Sequence, residues 1–118
     1  MSLTFYGYPN CGSCKKAQKW LEENNVDYHF IHIVENTPTK EEILTLMKQS
    51  DEKPRRFFNT SGRVYRELNM KDKVQDLTND EMAEYLTSDG MLIRRPIVTD
   101  GQNVTIGFKE EQFAKNWL

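Results

Sequence analysis

The stretch YPNCGSCKKAQKWL, residues 8–21, decides how this chain is read. Cys11 and Cys14 are the only 2 cysteines in its 118 residues. They stand where a short apolar run gives way to a helical pattern. Gly7, Pro9, Asn10 and Gly12 break the run, and Cys14, Ala17, Trp20 and Leu21 then recur at three- and four-residue spacing, a helix with one buried stripe. With Cys11 at the first turn and Cys14 one turn on, the two side chains face nearly the same side, roughly 5–6 Å apart at Cβ. A small adjustment then closes a disulfide. A helix start also offers unpaired N–H groups and the positive end of the dipole, both of which stabilise a thiolate. Lys15 and Lys16 add positive charge nearby. This division of labour makes Cys11 the attacking thiol. Cys14, in phase with Ala17 and Leu21, is the resolving thiol that displaces whatever Cys11 has captured.

Two other readings of the cysteines stand beside this one. His29 and His32 are the only 2 histidines, and Cys-x2-Cys-x14-His-x2-His resembles a zinc-finger spacing with an overlong loop and a short histidine gap. Both histidines fall in a predicted strand, where residues three apart point to opposite faces, so one of them could reach the cysteines but not both. The other reading is two small apolar residues packed at a helix start, with the histidines as ordinary strand residues.

The rest of the composition bounds the answer. Charged residues make up 29% of the chain and the net charge is −2, which gives no strong field toward nucleic acid or an anionic membrane. No apolar run approaches the length that spans a bilayer. Residues 1–8 lack a basic segment followed by an apolar core and a small-residue cleavage site. The expectation is a cytoplasmic, monomeric, single domain over residues 1–118. In a reducing compartment, Cys-x-x-Cys is more often catalytic or metal-binding than a structural staple.

Residues 3–6 read as a strand, and YHFIHI, residues 28–33, as a second one rich in aromatic and β-branched side chains. With a helix between them, parallel pairing is expected, Asn24 and Asn25 ending the helix. Residues 39–90 read as a helical block. TKEE at 39–42 is a capping box ahead of Ile43, Leu46 and Met47, with Pro54 as the stop. Residues 55–73 read as short helical pieces joined at Ser61 and Gly62. TNDE at 78–81 opens a helix carrying Met82, Tyr85 and Leu86, and Gly90 sits where a C-terminal glycine cap belongs. Strand character returns at 97–99, turns at Asp100 and Gly101, and runs back over 104–108 as a hairpin. Residues 109–118 place Phe113 and Trp117 on one helical face. The pattern is βαβ, a helical insert, ββ, then α.

A second stretch, IRRPIV at 93–98, puts a proline at the mouth of a strand, where it removes a ladder donor. A cis bond before Pro96 is one reason for such a placement. Arg95 would then lie on the same rim, and a guanidinium suits an oxyanion or a thiolate. The alternative is that Arg94 and Arg95 are surface charges on a loop.

Three motifs in order, YPNCGSCKK at 8–16, YREL at 65–68 and IRRPIV at 93–98, resemble the ArsC/Spx family over nearly the whole chain. The resemblance implies an α/β, thioredoxin-like fold with an inserted helical subdomain. It also implies that Pro96 is a cis-proline facing the active-site cysteine and that Arg95 sits beside Cys11. The family holds three behaviours. Its arsenate reductases use one cysteine, at the position of Cys11, and three arginines; here only Arg95 is present. Asn59 stands near where the second is expected, and no arginine lies in 106–108. Its Spx-like regulators use Cys-x-x-Cys as a switch and bind the C-terminal domain of the RNA polymerase α subunit. The third behaviour is that of a small thiol–disulfide oxidoreductase, which needs only Cys11, Cys14, Pro96 and Arg95.

The leading expectation is that oxidoreductase, with a reversible Cys11–Cys14 disulfide and no resident cofactor or metal. Its electrons would come from an external thiol: glutathione, another low-molecular-weight thiol, or a thioredoxin or glutaredoxin-type donor. A redox-sensing regulator that binds RNA polymerase but not DNA is second, and arsenate reduction third.

Overall fold

The computed structural model describes residues 2–118, which divide into two compact units. The first takes the described residues up to His32 together with Arg95–Leu118, and the second is Ile33–Arg94.

The first unit is built on a 4-stranded sheet. Strand β1 (Leu3–Gly7) leads into helix α1 (Gly12–Glu23), which returns the chain to β2 (Tyr28–His32). β1 and β2 pair in parallel, Phe5 opposite Phe30. A parallel pair requires a crossover connection, and α1 supplies it. After the second unit the chain re-enters as β3 (Ile97–Thr99), antiparallel to β1, and folds back as β4 (Val104–Ile106). The strand order is β2-β1-β3-β4, so β1 is hydrogen-bonded on both sides. Helix α6 (Glu110–Trp117) closes the unit.

One core holds these elements together. Leu3 and Phe5 of β1 and Val98 of β3 pack with Cys14, Ala17 and Leu21 of α1 and with Phe113 and Trp117 of α6. The period of 2 in the strands and the three- and four-residue spacing in the helices bring these side chains to one layer. Burying a side chain of leucine or phenylalanine size is worth about 1.5–3 kcal/mol. Trp117 also donates its indole N–H to Thr105 Oγ1 at 3.3 Å, which satisfies both buried polar groups. Gly7 ends β1 where a Cβ would stand 2.6 Å from the Phe5 ring and 2.9 Å from Phe30. The stacked pair Phe5–Phe30, with ring centroids 5.6 Å apart, therefore excludes any side chain there.

α1 ends as its asparagines suggest. The Asn24 side chain caps Trp20 O at 2.9 Å, Asn25 takes φ 57°, and Val26 N–H returns to Leu21 O at 2.9 Å. The hairpin turns at Asp100, whose carboxylate accepts from the amides of Gln102 and Asn103 at 2.8 and 2.7 Å. β4 is shorter than the expected 104–108, because Gly107 turns the chain at φ 76°. β2 likewise stops at His32, one residue before the sequence pattern does.

The second unit is helical, in agreement with the block read over 39–90. Helices α2 (Lys40–Gln49) and α5 (Asn79–Ser88) each begin with a complete capping box, Thr39 with Glu42 and Thr78 with Glu81. Short helices α3 (Arg63–Glu67) and α4 (Met70–Lys73) lie between them. Lys40 binds both Asp80 and Glu84 at 2.9 Å, tying the start of α2 to α5. Buried Ile43, Leu46 and Met47 of α2 and Met82, Ala83 and Leu86 of α5 supply the apolar faces.

Two details of this unit differ from the sequence reading. α2 stops at its cap Ser50, ahead of Pro54, which instead opens a 3-10 turn (Pro54–Phe57). Proline suits that first position because the missing N–H is unpaired there anyway. Gly90 is not a left-handed helix cap, since Asp89 caps α5 in extended geometry. Its reason is steric: a Cβ at Gly90 would lie 2.2 Å from the carbonyl oxygen of Ile33. The unit closes with a bridge between Phe58 and Ile93, flanked by Arg94 N–H to Phe57 O and Asn59 N–H to Leu92 O, both 2.7 Å.

Candidate functional site

Cys11 is the N-cap of α1, not a first-turn residue. Its backbone is extended (φ −101°, ψ 119°), and its sulfur accepts from the Cys14 amide at 3.3 Å. This is the geometry by which an N-cap oxygen satisfies an orphan helix donor, here with sulfur as acceptor. The Cys11 amide donates to Tyr8 O at 3.2 Å, and its carbonyl accepts from Lys15 at 3.1 Å. The loop of residues 8–11 is thus pinned at both ends.

Cys11 is half-buried, whereas Cys14 has 0% of its surface exposed and belongs to the core layer. Both are free thiols. Burial pushes the Cys14 thiol up to about 12; the hydrogen bond that thiol makes to Cys11, and charge on Cys11, push the same way. Opposing them are a backbone N–H from Tyr8 to the Cys14 sulfur and the positive charge of Arg95. Chemically, the pair is an outer sulfur that accepts a hydrogen bond from the helix start and an inner thiol whose proton is held chiefly by burial.

The Arg95–Pro96 peptide bond is cis. Pro96 O accepts from Gly107 N–H at 2.8 Å. The Arg95 guanidinium lies over the Tyr8 ring, 5.3 Å from its centroid, within cation–π range. The Tyr8 ring meets His32 edge-on, with centroids 5.3 Å apart and planes at 75°. The structure therefore groups Cys11, Cys14, Tyr8, Arg95 and His32. The sequence reading singled out the cysteines and Arg95, not Tyr8. Its signal was an aromatic three residues before the first cysteine, which alone has many ordinary explanations.

His29 is exposed and His32 half-buried. Among the described residues, no three His, Cys, Asp or Glu side chains are placed to hold one metal ion. Asn59 is engaged in its own turn: its carbonyl accepts from Gly62 at 3.1 Å and its side chain from Ser61 Oγ at 3.4 Å. Among the described residues no helix is long and apolar enough to cross a membrane.

The sheet with α1 and α6, and the cysteine pair at the start of α1, define a mixed α/β protein of the thioredoxin-like class. The chain belongs to the ArsC family, whose model matches residues 6–116. It is 56% identical to the uncharacterised protein YusI of Bacillus subtilis, over 99% of both chains. It is 30% identical to the global transcriptional regulator Spx 2 of Bacillus anthracis, over 96% of this chain and 85% of that one. Among solved structures, an ArsC family related protein from Bacteroides fragilis superposes with a TM-score of 0.94 at 41% identity, covering 98% of this chain and 97% of the other.

Proposed function

We propose that this protein is a cytoplasmic thiol–disulfide oxidoreductase working through a reversible Cys11–Cys14 disulfide. The observation that carries this reading is the buried Cys14 thiol hydrogen-bonded to the half-buried Cys11. The Cys11 thiolate attacks a substrate disulfide, forms a mixed disulfide and releases the first substrate thiolate. Burial, the largest cause holding the proton on Cys14, persists, but Cys11 then carries no charge and its contribution to holding that proton falls away. Arg95 and the Tyr8 amide, which favour the Cys14 thiolate, now meet less opposition. Cys14 gives its proton to solvent and attacks the Cys11 sulfur. The Cys11–Cys14 bond forms, the second substrate thiolate leaves, and two electrons have passed to the substrate. An external thiol, either low-molecular-weight or of the thioredoxin or glutaredoxin type, returns the pair to the reduced form.

The test is turnover of a disulfide substrate with such a donor. Wild-type protein should turn over, and Cys11→Ser should not; equal rates for the two would refute the proposal.

A second reading rests on the relative Spx 2, whose name is that of a transcriptional regulator. On this reading the same pair is a switch, and the partner is the RNA polymerase α subunit. Binding of that subunit in one redox state only, with negligible disulfide turnover, would favour it. Arsenate reduction is the weakest reading, because of the three arginines that the family's arsenate reductases use, only the one before the proline, Arg95, has a counterpart in register here. Arsenate-dependent thiol oxidation would revive it.

A further inference from the structure

Tyr8 meets both cysteines, Arg95 and His32. Its carbonyl accepts from the Cys11 amide at 3.2 Å. Its own amide N–H reaches the Cys14 sulfur. The face of its ring carries the Arg95 guanidinium at 5.3 Å, and the His32 ring packs against it nearly perpendicular, with centroids 5.3 Å apart. The backbone contacts belong to the loop and would survive most substitutions. The ring contacts belong to tyrosine, and neither the helix nor the sheet requires them: Tyr8 lies outside both β1 and α1 and is half-buried.

An arginine side chain has about 2 kcal/mol of rotamer freedom to lose when it is held in one place. A ring face is a way to hold it, because the quadrupole attracts the cation without neutralising its charge. A carboxylate in the same place would also hold Arg95, but it would cancel the field that the guanidinium sets up at the cysteines. The ring leaves that field intact.

We propose that Tyr8 is a positioning residue for the resolving step: from the loop whose carbonyl binds the Cys11 amide, its ring holds the Arg95 guanidinium in place. In this step Cys14 loses its proton to solvent, its sulfur bonds to Cys11, and the Cys11–substrate S–S bond breaks with the pair of electrons leaving on the substrate sulfur. The inference rests on the oxidoreductase reading for its consequence, but its geometry does not.

Two measurements keep the two claims apart. The first loads Cys11 with glutathione as a mixed disulfide and follows glutathione release against pH. Tyr8→Leu should slow release roughly threefold near neutral pH and move the profile to higher pH, while Tyr8→Phe, which keeps the ring face, should restore it. Arg95→Gln should slow release as well, and Tyr8→Leu should add nothing to Arg95→Gln. The second needs no turnover. In a Cys11→Ser background, the β-carbon NMR shift of Cys14 is titrated with pH. Tyr8→Leu should move that titration upward, and Tyr8→Phe should not. Should Tyr8→Leu fail to fold, Tyr8→Met carries the same comparison. An unchanged Cys14 titration in the leucine or methionine variant, or full additivity with Arg95→Gln, would overturn the inference. If wild-type protein never releases glutathione while the Cys14 titration moves as expected, the oxidoreductase reading fails together with the resolving step, and only the hold of the Tyr8 ring on Arg95 stands.

Discussion

The Cys14 amide points at the Cys11 sulfur from 3.3 Å, and the Cys14 thiol hydrogen-bonds to that same sulfur. One residue thus gives Cys11 two donors, one from the helix start and one from the core. The arrangement ties the reactivity of the outer sulfur to the protonation of the inner one.

Removing the inner thiol should trap the first covalent step. Cys14→Ser incubated with oxidised glutathione should accumulate a mixed disulfide at Cys11, seen as one added glutathione by intact-mass measurement. Wild-type protein should pass on to the internal disulfide and lose two hydrogens. Cys11→Ser should do neither, and its turnover should fall by several orders of magnitude, as when a nucleophile is removed. A stable glutathione adduct on wild-type protein would argue against Cys14 as the resolving thiol.

The reduced protein should lose stability in alkaline solution for a specific reason. The Cys14 thiol has an ordinary value of 9.0 and is pushed up to about 12 in the folded chain, chiefly by burial. Between those values the unfolded chain has given up a proton that the folded one keeps. The stabilisation is therefore complete below about pH 9 and is lost as pH rises toward 12. The slope approaches about 1.4 kcal/mol per pH unit at most. Urea unfolding of reduced protein at a series of pH values should show this fall, and Cys14→Ala should lack it. The same slope in both proteins would assign it to other groups.

Two glycines should respond in opposite directions to alanine. At Gly90 the new Cβ would stand 2.2 Å from the Ile33 carbonyl oxygen, so backbone has to move. A cost of about 1–3 kcal/mol is expected, as for overpacking generally. At Gly12, the first residue of α1, a Cβ has nothing within 4 Å. Gly12→Ala should be neutral or stabilise by up to about 1 kcal/mol. Paired thermal melts read both. A neutral Gly90→Ala would mean that the close approach to Ile33 relaxes freely.

The capping boxes of the helical unit should carry measurable stability. Thr39 and Thr78 accept from the amides of Glu42 and Glu81 at 3.2 and 3.1 Å. Alanine at either position should cost about 1 kcal/mol in urea unfolding, with the thiol chemistry unchanged. A change in disulfide turnover with either variant would couple the helical unit to the cysteine site.

Much of this fold could be read from local signals. Both capping boxes lie within four consecutive residues, the βαβ order follows from two strands flanking one amphipathic stripe, and Asp100 with Gly101 marks the hairpin. The cysteine pair was legible for the same reason, since an N-cap and the third residue of the helix it opens are near neighbours, although the sequence reading placed Cys11 inside the first turn. What escaped depends on chain segments far apart in sequence. The Phe58–Ile93 bridge is a single pairing with no alternation to announce it. Gly90 was read as a cap because its real constraint, the Ile33 carbonyl, lies on another part of the chain. The role of the Tyr8 ring arises only when the loop before α1, the end of β2 and the entry to β3 converge on it.

The most direct test of the central claim is a redox titration of the purified protein in thiol buffers of known potential, with free thiols trapped and counted by mass spectrometry. The account predicts one two-electron transition in which Cys11 and Cys14 disappear together as a disulfide and return together on reduction. Persistence of both free thiols under mild oxidation, or oxidation of Cys11 with Cys14 left free, would contradict it.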